Sequence, residues 1–279
     1  MTPSPDRDIS DIAIVIPVFN QLHYTRQCLE TLIRAGIAEP QITIVNNGSS
    51  DGTREFLDAR PGLRTIHNEI NRGCGGAWSQ GAQAANATWT LLLNNDVLVP
   101  PGFFEGIKKF AVEQNVDVVS PAMCEGECDY DWQTYGVGFM KTMATVRRNR
   151  IAHGVGFMVR RRVFETIGYF DEDLRLGGYE DDEFFRRVLG AGFQLATTGA
   201  AFLHHFGQVT QKSMKSEQVM AKVFERRAYY RKKSGQTWIS RKITHVRNDL
   251  RGKWWRDTEK KRFGHTLKER RVAGRWEFY

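Results

Sequence analysis

Three clusters in this 279-residue chain have the residue types and spacing to do chemistry. The first is Leu-Leu-Leu-Asn-Asn-Asp-Val-Leu-Val, residues 91 to 99, where a short apolar run breaks onto Asn94, Asn95 and Asp96. An Asp at the carboxyl end of a buried strand stands where open α/β sheets bind ligands, and it can meet a metal or a phosphate. For an isolated Asn-Asn-Asp, turn chemistry alone is the better explanation; what lies before and after it shifts the balance. The second cluster is four consecutive acids, Glu180 to Glu183, opening an amphipathic helix whose apolar side is Phe184, Phe185, Val188 and Leu189. The helix dipole accounts for one or two of them. Four adjacent carboxylates repel one another unless a cation or an acceptor hydroxyl lies near. The third is the pair His204 and His205, either metal ligands at a strand end or merely polar surface residues.

The elements that must position these groups follow from the pattern. Ile12 to Val18 is a β-branched apolar run suited to a central strand, and Tyr24 to Ala35 is a helix with Cys28, Leu29, Leu32 and Ile33 on one face. Further strands are expected at Ile42 to Val45, Leu63 to His67, Trp89 to Leu93 and Val116 to Val119. Helices are expected at Thr53 to Ala59, Phe103 to Val112 and Arg161 to Ile167. Gly73 to Gly76 reads as a flexible loop before a small-residue helix, Cys124 to Arg150 as a substrate-facing loop region, and 193–203 as two short strands. Strands alternating with helices imply βαβ units and a mostly parallel sheet. A dinucleotide-binding domain is disfavoured, because Pro17 to Asn20 contains no glycine and Gly73, Gly75 and Gly76 lack the required spacing.

The net charge of +8 is unevenly placed. Residues 209–279 hold 21 Lys+Arg against 7 Asp+Glu, whereas the preceding 208 residues are mildly acidic. That asymmetry calls for an anionic partner for the tail. A basic segment containing Trp238, Trp254, Trp255 and Trp276 suits an anionic membrane interface. Helices packed on the main domain, aromatics inward and charges solvated, account for the same composition. Nucleic acid is not expected, because no base-stacking or groove-reading module is present. No stretch approaches the roughly 20 apolar residues of a membrane span. Residues 1–10 lack a secretory signal pattern, and the four cysteines show no disulfide framework, so the expected location is cytoplasmic.

Seven motifs in order resemble glycosyltransferase family 2. They are Ile16-Pro17-Val18-Phe19-Asn20, Asn47 through Thr53, Asn71-Arg72-Gly73 through Gly81, Asn94-Asn95-Asp96-Val97, Arg160-Arg161 through Glu172, Glu180-Asp181, and the His204/His205 segment. The resemblance, which takes in rhamnosyltransferase-like bacterial glycan enzymes, implies an α/β GT-A fold: a mostly parallel sheet flanked by helices, here with a basic helical C-terminal extension. It implies an inverting enzyme that moves a hexosyl or deoxyhexosyl unit from a UDP- or dTDP-sugar to a glycan, lipid-linked glycan or protein. Residues 1–210 would form the catalytic domain, with the nucleotide half at 11–100 and the acceptor half at 101–210, and 211–279 would be the extension.

Carried over residue by residue, the resemblance makes Asp96 the last residue of a D-x-D-like motif in which Asn94 replaces the first Asp. Asp96 would hold Mg²⁺ or Mn²⁺ together with His204 or His205. Pro17, Asn20, Asn46, Asn47, Ser49, Arg72, Gly73, Asn94 and Asn95 would line the donor pocket, and Asn46 stands where the family usually has Asp. Asp181, beside Glu180, would be the catalytic base. Inverting transfer requires a carboxylate to take the acceptor hydroxyl's proton and positive charge to steady the departing diphosphate. A non-catalytic nucleotide-sugar-binding protein of the same fold is the alternative that the Asn46 and Asn94 replacements suggest. The tail would place the protein at the inner face of the membrane.

Overall fold

The structure, a computed structural model, describes residues 8–172, 179–207, 227–229, 231–233, 235 and 238–279. Its centre is the pair β1 (Ile12–Val18) and β4 (Trp89–Leu93), parallel neighbours with Ile14 beside Leu91. Every residue of β4 is buried, as a strand covered on both faces requires. β2 (Ile42–Asn47) and β3 (Arg64–Asn68) continue the parallel sheet on one side. On the other, β8 (Gly156–Arg160) and then β6 (Val118–Gly126) join antiparallel. β9 (Leu195–His205) runs parallel to β6, with a register shift between Pro121 and Ala122, and also pairs with β5 (Val97–Leu98) and β7 (Arg147–Asn149).

Helices cover both faces. Under α1 (Leu22–Arg34) and α4 (Phe103–Glu113) lies a core of Ile14, Ile16, Leu29, Leu91, Phe104 and Ile107. Beneath α3 (Gly73–Ala84), α6 (Arg161–Ile167) and α7 (Glu180–Gly190) lies a second core around Trp78, Phe157, Phe170 and Phe184. The short α2 (Thr53–Asp58) connects β2 to β3.

Four expectations are corrected. Gly73 to Gly76 is the first turn of α3, not a flexible loop, and α3's glycines serve close packing: a Cβ on Gly81 would lie 2.2 Å from Val15 Cγ1. The segment from Cys124 to Arg150 is not loop. It holds the end of β6, the helix α5 (Trp132–Met143) and β7. Asp131 caps α5 by accepting from the Thr134 N–H, and Gly136, Phe139 and Met143 turn inward at helical spacing. The glycines within this helix obscure its period. Residues 195–205 form one continuous strand, because the shift opposite Pro121 absorbs what would otherwise break it.

The fourth correction concerns the tail, which is not helical throughout. α8 (Trp238–Phe263) leads into β10 (Lys268–Val272) and β11 (Arg275–Phe278), and β10 pairs in parallel with β6. The strands therefore run β11-β10-β6-β8-β4-β1-β2-β3 among the described residues. Alternate residues of β10 explain the pairing: Glu269 is buried, while Lys268 is exposed. The expected boundary at 210, and residues 211–226 of the expected helical extension, lie outside the described residues.

A buried ion pair anchors α8. Arg148 makes two 2.8 Å bonds to Glu259 and a third to the Tyr279 carbonyl, and Glu259 also accepts from the Leu267 N–H at 2.9 Å. Breaking one side of such a pair strands the other charge, at a cost of about 3–5 kcal/mol. Arg148→Ala should lower stability by that amount in urea denaturation, and Arg148→Met combined with Glu259→Leu should recover most of it.

Candidate active site

The predicted groups gather at the carboxyl ends of β1, β2 and β4. Beyond β4 the Asn94 N–H donates to the Val155 carbonyl at 2.9 Å, so the ladder with the β8 side runs on for one residue. The chain then turns into β5, whose Val97 stands opposite His205 and whose Leu98 stands opposite His204. This pairing sets an Asp96 carboxylate oxygen 3.3 Å from His205 Nε2, and the Phe206 N–H ties down the Asp96 carbonyl at 3.0 Å. Asp96 and His205 are 8% and 7% exposed, which leaves them within reach of a ligand at the strand ends.

Strand alternation separates the two histidines. His204 is fully buried, its Nδ1 2.9 Å from the Tyr130 hydroxyl and its ring edge-on to Tyr130 and Phe206. Burial, reinforced by the neighbouring His205, pulls the His204 imidazole down to about 4. Of the pair, only His205 faces Asp96. Its other nitrogen looks toward Glu125 Oε2 at 3.9 Å, and Glu125 in turn accepts from Arg270 of β10 at 2.9 Å. Burial works against ionising Glu125, yet Arg270 and His205 together hold its carboxyl below the usual range. Among the described residues no group of three or more His, Cys, Asp or Glu forms a closed metal cage. The Asp96 carboxylate oxygen and the His205 imidazole nitrogen, 3.3 Å apart, are donors that would suit Mg²⁺ or Mn²⁺.

The donor-pocket candidates are knitted into a frame. Asn46 accepts from the Ser49 N–H at 3.1 Å, and its amide nitrogen lies 3.0 Å from His67 Nδ1, with His67 Nε2 3.0 Å from Asp58. An amide donating to Nδ1 leaves the proton on Nε2, facing Asp58. Asn47 uses its whole side chain on the turn that follows β3: it donates to Asn71 and the Gly73 carbonyl, and accepts from Asn68 and the Arg72 N–H. Asn20, at φ +57°, accepts from the Ser50 N–H while its own N–H meets Ser49 Oγ at 2.8 Å. Pro17 stands beside Val45 in the sheet, Gly73 is in the left-handed region, and Arg72 reaches Glu172 at 3.1 Å. Asn94 stays at the strand end beside Asp96, whereas Asn95 is turned away, its amide donating to Thr25 Oγ1 in the buried space under α1. Asn47 and Asn95 thus shape loops with side chains that are already committed.

Across the crevice the four acids of α7 have four different surroundings. Glu183 is buried and paired with Arg187 at 2.8 Å and Arg186 at 3.3 Å. Asp182 is exposed, and Glu180 is buried with its Cβ lying against Gly75. Asp181 fills the space that a side chain at residue 154 would occupy, since a Cβ on Gly154 would lie 2.2 Å from Asp181 Oδ2. Burial pushes the Asp181 carboxyl above the ordinary aspartate range, against the pull of backbone N–H groups that include that of Gly154. Gly154 adjoins Val155, the residue bonded to Asn94, so few residues separate Asp181 from Asp96. Burial first, then the charges of Glu180, Asp181 and Asp96, raise the Cys74 thiol well above its usual value.

Two contributors were invisible in the sequence. His153 pins the loop carrying Gly154 to β6: its N–H donates to Ser120 Oγ at 3.1 Å and its Nε2 meets the Pro121 carbonyl at 2.7 Å. Burial lowers its imidazole to about 4, so the ring stays neutral. The second is the Glu125–Arg270 bridge, whose partners are 145 residues apart. Gly154→Ala should push the Asp181 carboxylate aside. With Asp181 as the expected base, a shift of about 1 Å can cost about 10²-fold in rate, so the variant should lose turnover on that scale while binding donor as the parent does, a split that steady-state kinetics and calorimetry would resolve.

The sequence profile described as "Glycosyl transferase family 2" matches residues 13–168. The chain is 25% identical over 193 residues to the "Uncharacterized glycosyltransferase EpsJ" of Bacillus subtilis (strain 168), covering 62% of this chain and 54% of that protein. It thus spans about half the length of that curated relative. In three dimensions it is similar to GalNAc-T7, solved with UDP, GalNAc and Mn²⁺, at a TM-score of 0.57 and 17% identity, covering 70% of this chain and 43% of that one. It is also similar to the mannosyltransferase PcManGT from Pyrobaculum calidifontis, solved with GDP-Man and Mn²⁺, at a TM-score of 0.53 and 18% identity over 71% and 58% of the two chains. These likenesses identify the α/β architecture as the GT-A fold.

Proposed function

The chain belongs to glycosyl transferase family 2, and from that premise we propose that it transfers a sugar from a nucleoside diphosphate sugar to an acceptor hydroxyl with inversion. What supports this reading is that Asp181 lies against Gly154, whose neighbour Val155 accepts from the Asn94 N–H, two residues before the Asp96 that faces His205. In this reading Asp181 takes the acceptor hydroxyl's proton as the hydroxyl attacks the anomeric carbon from the side opposite the diphosphate. Asp96 and His205 hold a divalent cation, Mg²⁺ or Mn²⁺. When bound, the cation supplies positive charge to the leaving diphosphate without proton transfer. Glu125, steadied by Arg270, sets a negative charge 3.9 Å from the ring nitrogen of His205 remote from Asp96.

The donor occupies the frame built by Asn20, Asn46, Ser49 and the turn at Arg72 and Gly73, on the 11–100 side, and the acceptor enters from the 101–210 side. Asn46 offers both donor and acceptor groups to a uracil or thymine, which makes UDP- and dTDP-sugars the first choices. The acceptor is a glycan, a lipid-linked glycan or a protein hydroxyl. Mn²⁺ and the nucleotides named for GalNAc-T7 and PcManGT support a cation and a nucleotide-sugar donor.

The test is a panel of UDP-, dTDP- and GDP-sugars incubated with Mn²⁺ or Mg²⁺ and read by mass spectrometry. Cation-dependent release of a nucleoside diphosphate from one donor is expected. Binding of a donor without release, across the panel and with acceptor glycans added, would favour the non-catalytic reading that the Asn46 and Asn94 replacements suggest.

A further inference from the structure

We propose that the outer face of α8 is a docking surface for an anionic phospholipid bilayer. The helix has two faces. Glu259, in its buried pair with Arg148, and Trp255, over which the Arg148 guanidinium sits at 5.3 Å, face the domain. At 100° per residue the opposite face is that of Val246, Leu250 and Trp254, four residues apart, which form a stripe about 80° wide. All three are open to solvent, at 50%, 66% and 63% exposure. Single exposed apolar residues need no explanation, but three on one line of one helix form a patch.

Charge selects the occupant. Between residues 246 and 263 the helix carries seven Lys or Arg against three acids. Of the acids, Glu259 is turned inward onto Arg148, and Asp257 is met by Arg256 at 3.3 Å. Exposed Arg247 and Lys253 flank the stripe, and exposed Lys261 continues its line toward the end of the helix. A second copy of this chain would bring like charge against like, and a phosphate backbone offers nothing to a Leu and a Trp. An apolar strip edged by cations matches a bilayer interface, where acyl chains receive the strip and anionic headgroups receive the cations. No helix among the described residues is long and apolar enough to cross a membrane, so the contact is a surface one. The proposal is independent of the transferase reading.

The test uses the full chain and vesicles of phosphatidylcholine, alone or with one quarter phosphatidylglycerol. Co-sedimentation is expected with the anionic vesicles, falling at least tenfold for Leu250→Glu/Trp254→Glu with an unchanged melting temperature. Leu250→Ser/Trp254→Ser serves as a second variant if the first unfolds, with the same loss expected. Equal binding to neutral and anionic vesicles, or undiminished binding by a folded variant, would overturn the proposal. So would dimerisation in solution that either variant abolishes. Nucleoside diphosphate release in vesicle-free buffer should be the same for parent and variants, so failure of the docking face and failure of the transferase reading are read separately.

Discussion

Asp181→Asn should reduce sugar transfer by about 10²–10⁴-fold, the usual contribution of a positioned general base, and leave the donor's dissociation constant within about twofold of the parent's. The amide keeps the shape that fits against Gly154 but cannot take a proton. Burial raises the parent carboxyl above the ordinary aspartate value, and only its ionised form acts. Activity should therefore fall as pH drops through that raised value, giving an acid limb of kcat/KM above the range of a solvent-exposed Asp. The sign for stability is the reverse. A carboxyl whose folded-state pKa lies above its unfolded one favours folding only while protonated, and that contribution disappears as pH rises. At neutral pH the charge is a burden to the fold, so the Asn variant should melt no lower than the parent. An early loss of structure or a loss of donor binding in this variant would point to a structural role for Asp181.

The second large effect is expected at the other wall. Asp96→Ala should weaken donor binding by at least about tenfold, or about 1.4 kcal/mol, when Mn²⁺ is present, and change it little when the cation is chelated. Titration calorimetry with and without a chelator measures both. Removing the carboxylate takes away the partner of His205 Nε2 and the only anionic ligand proposed for the cation. Equal cation-dependent affinity in parent and variant would place the cation elsewhere.

The strands that build these walls were legible because they are buried on both faces and read as unbroken apolar runs. Ile12 to Val18 and Trp89 to Leu93 appear in the structure with the bounds the residues suggest. The helix at Arg161 to Ile167 does too, halted by Gly168 at φ +75°. Where glycine carries the packing, the reading failed. α3 looked flexible because its glycines suggest freedom, whereas their missing side chains let Val15, Glu180 and Phe170 approach. α5 was hidden in the same way by Gly136 and Gly138.

The site was readable as a list of residues but not as an arrangement. Two adjacent histidines look alike in sequence. They are distinguished only by the register of β9 against β5, which turns His205 to Asp96 and His204 into the aromatic cluster. The four acids likewise looked equivalent until packing gave Glu183 two arginines and Asp181 a glycine-lined recess. The hairpin at the chain's end had no local signal that it would pair with β6, because strand pairing across about 145 residues is a tertiary choice. Its consequence reaches the site, since Arg270 on that hairpin holds Glu125 opposite His205.

A displacement by one hydroxyl, primed by Asp181 on the face opposite the leaving diphosphate, fixes the stereochemistry of the product. Proton NMR of the first glycoside formed from an anomerically pure donor, recorded before any equilibration, tests that claim most directly. The account predicts an anomeric coupling constant for the configuration opposite to the donor's; a product that keeps the donor's configuration would contradict it.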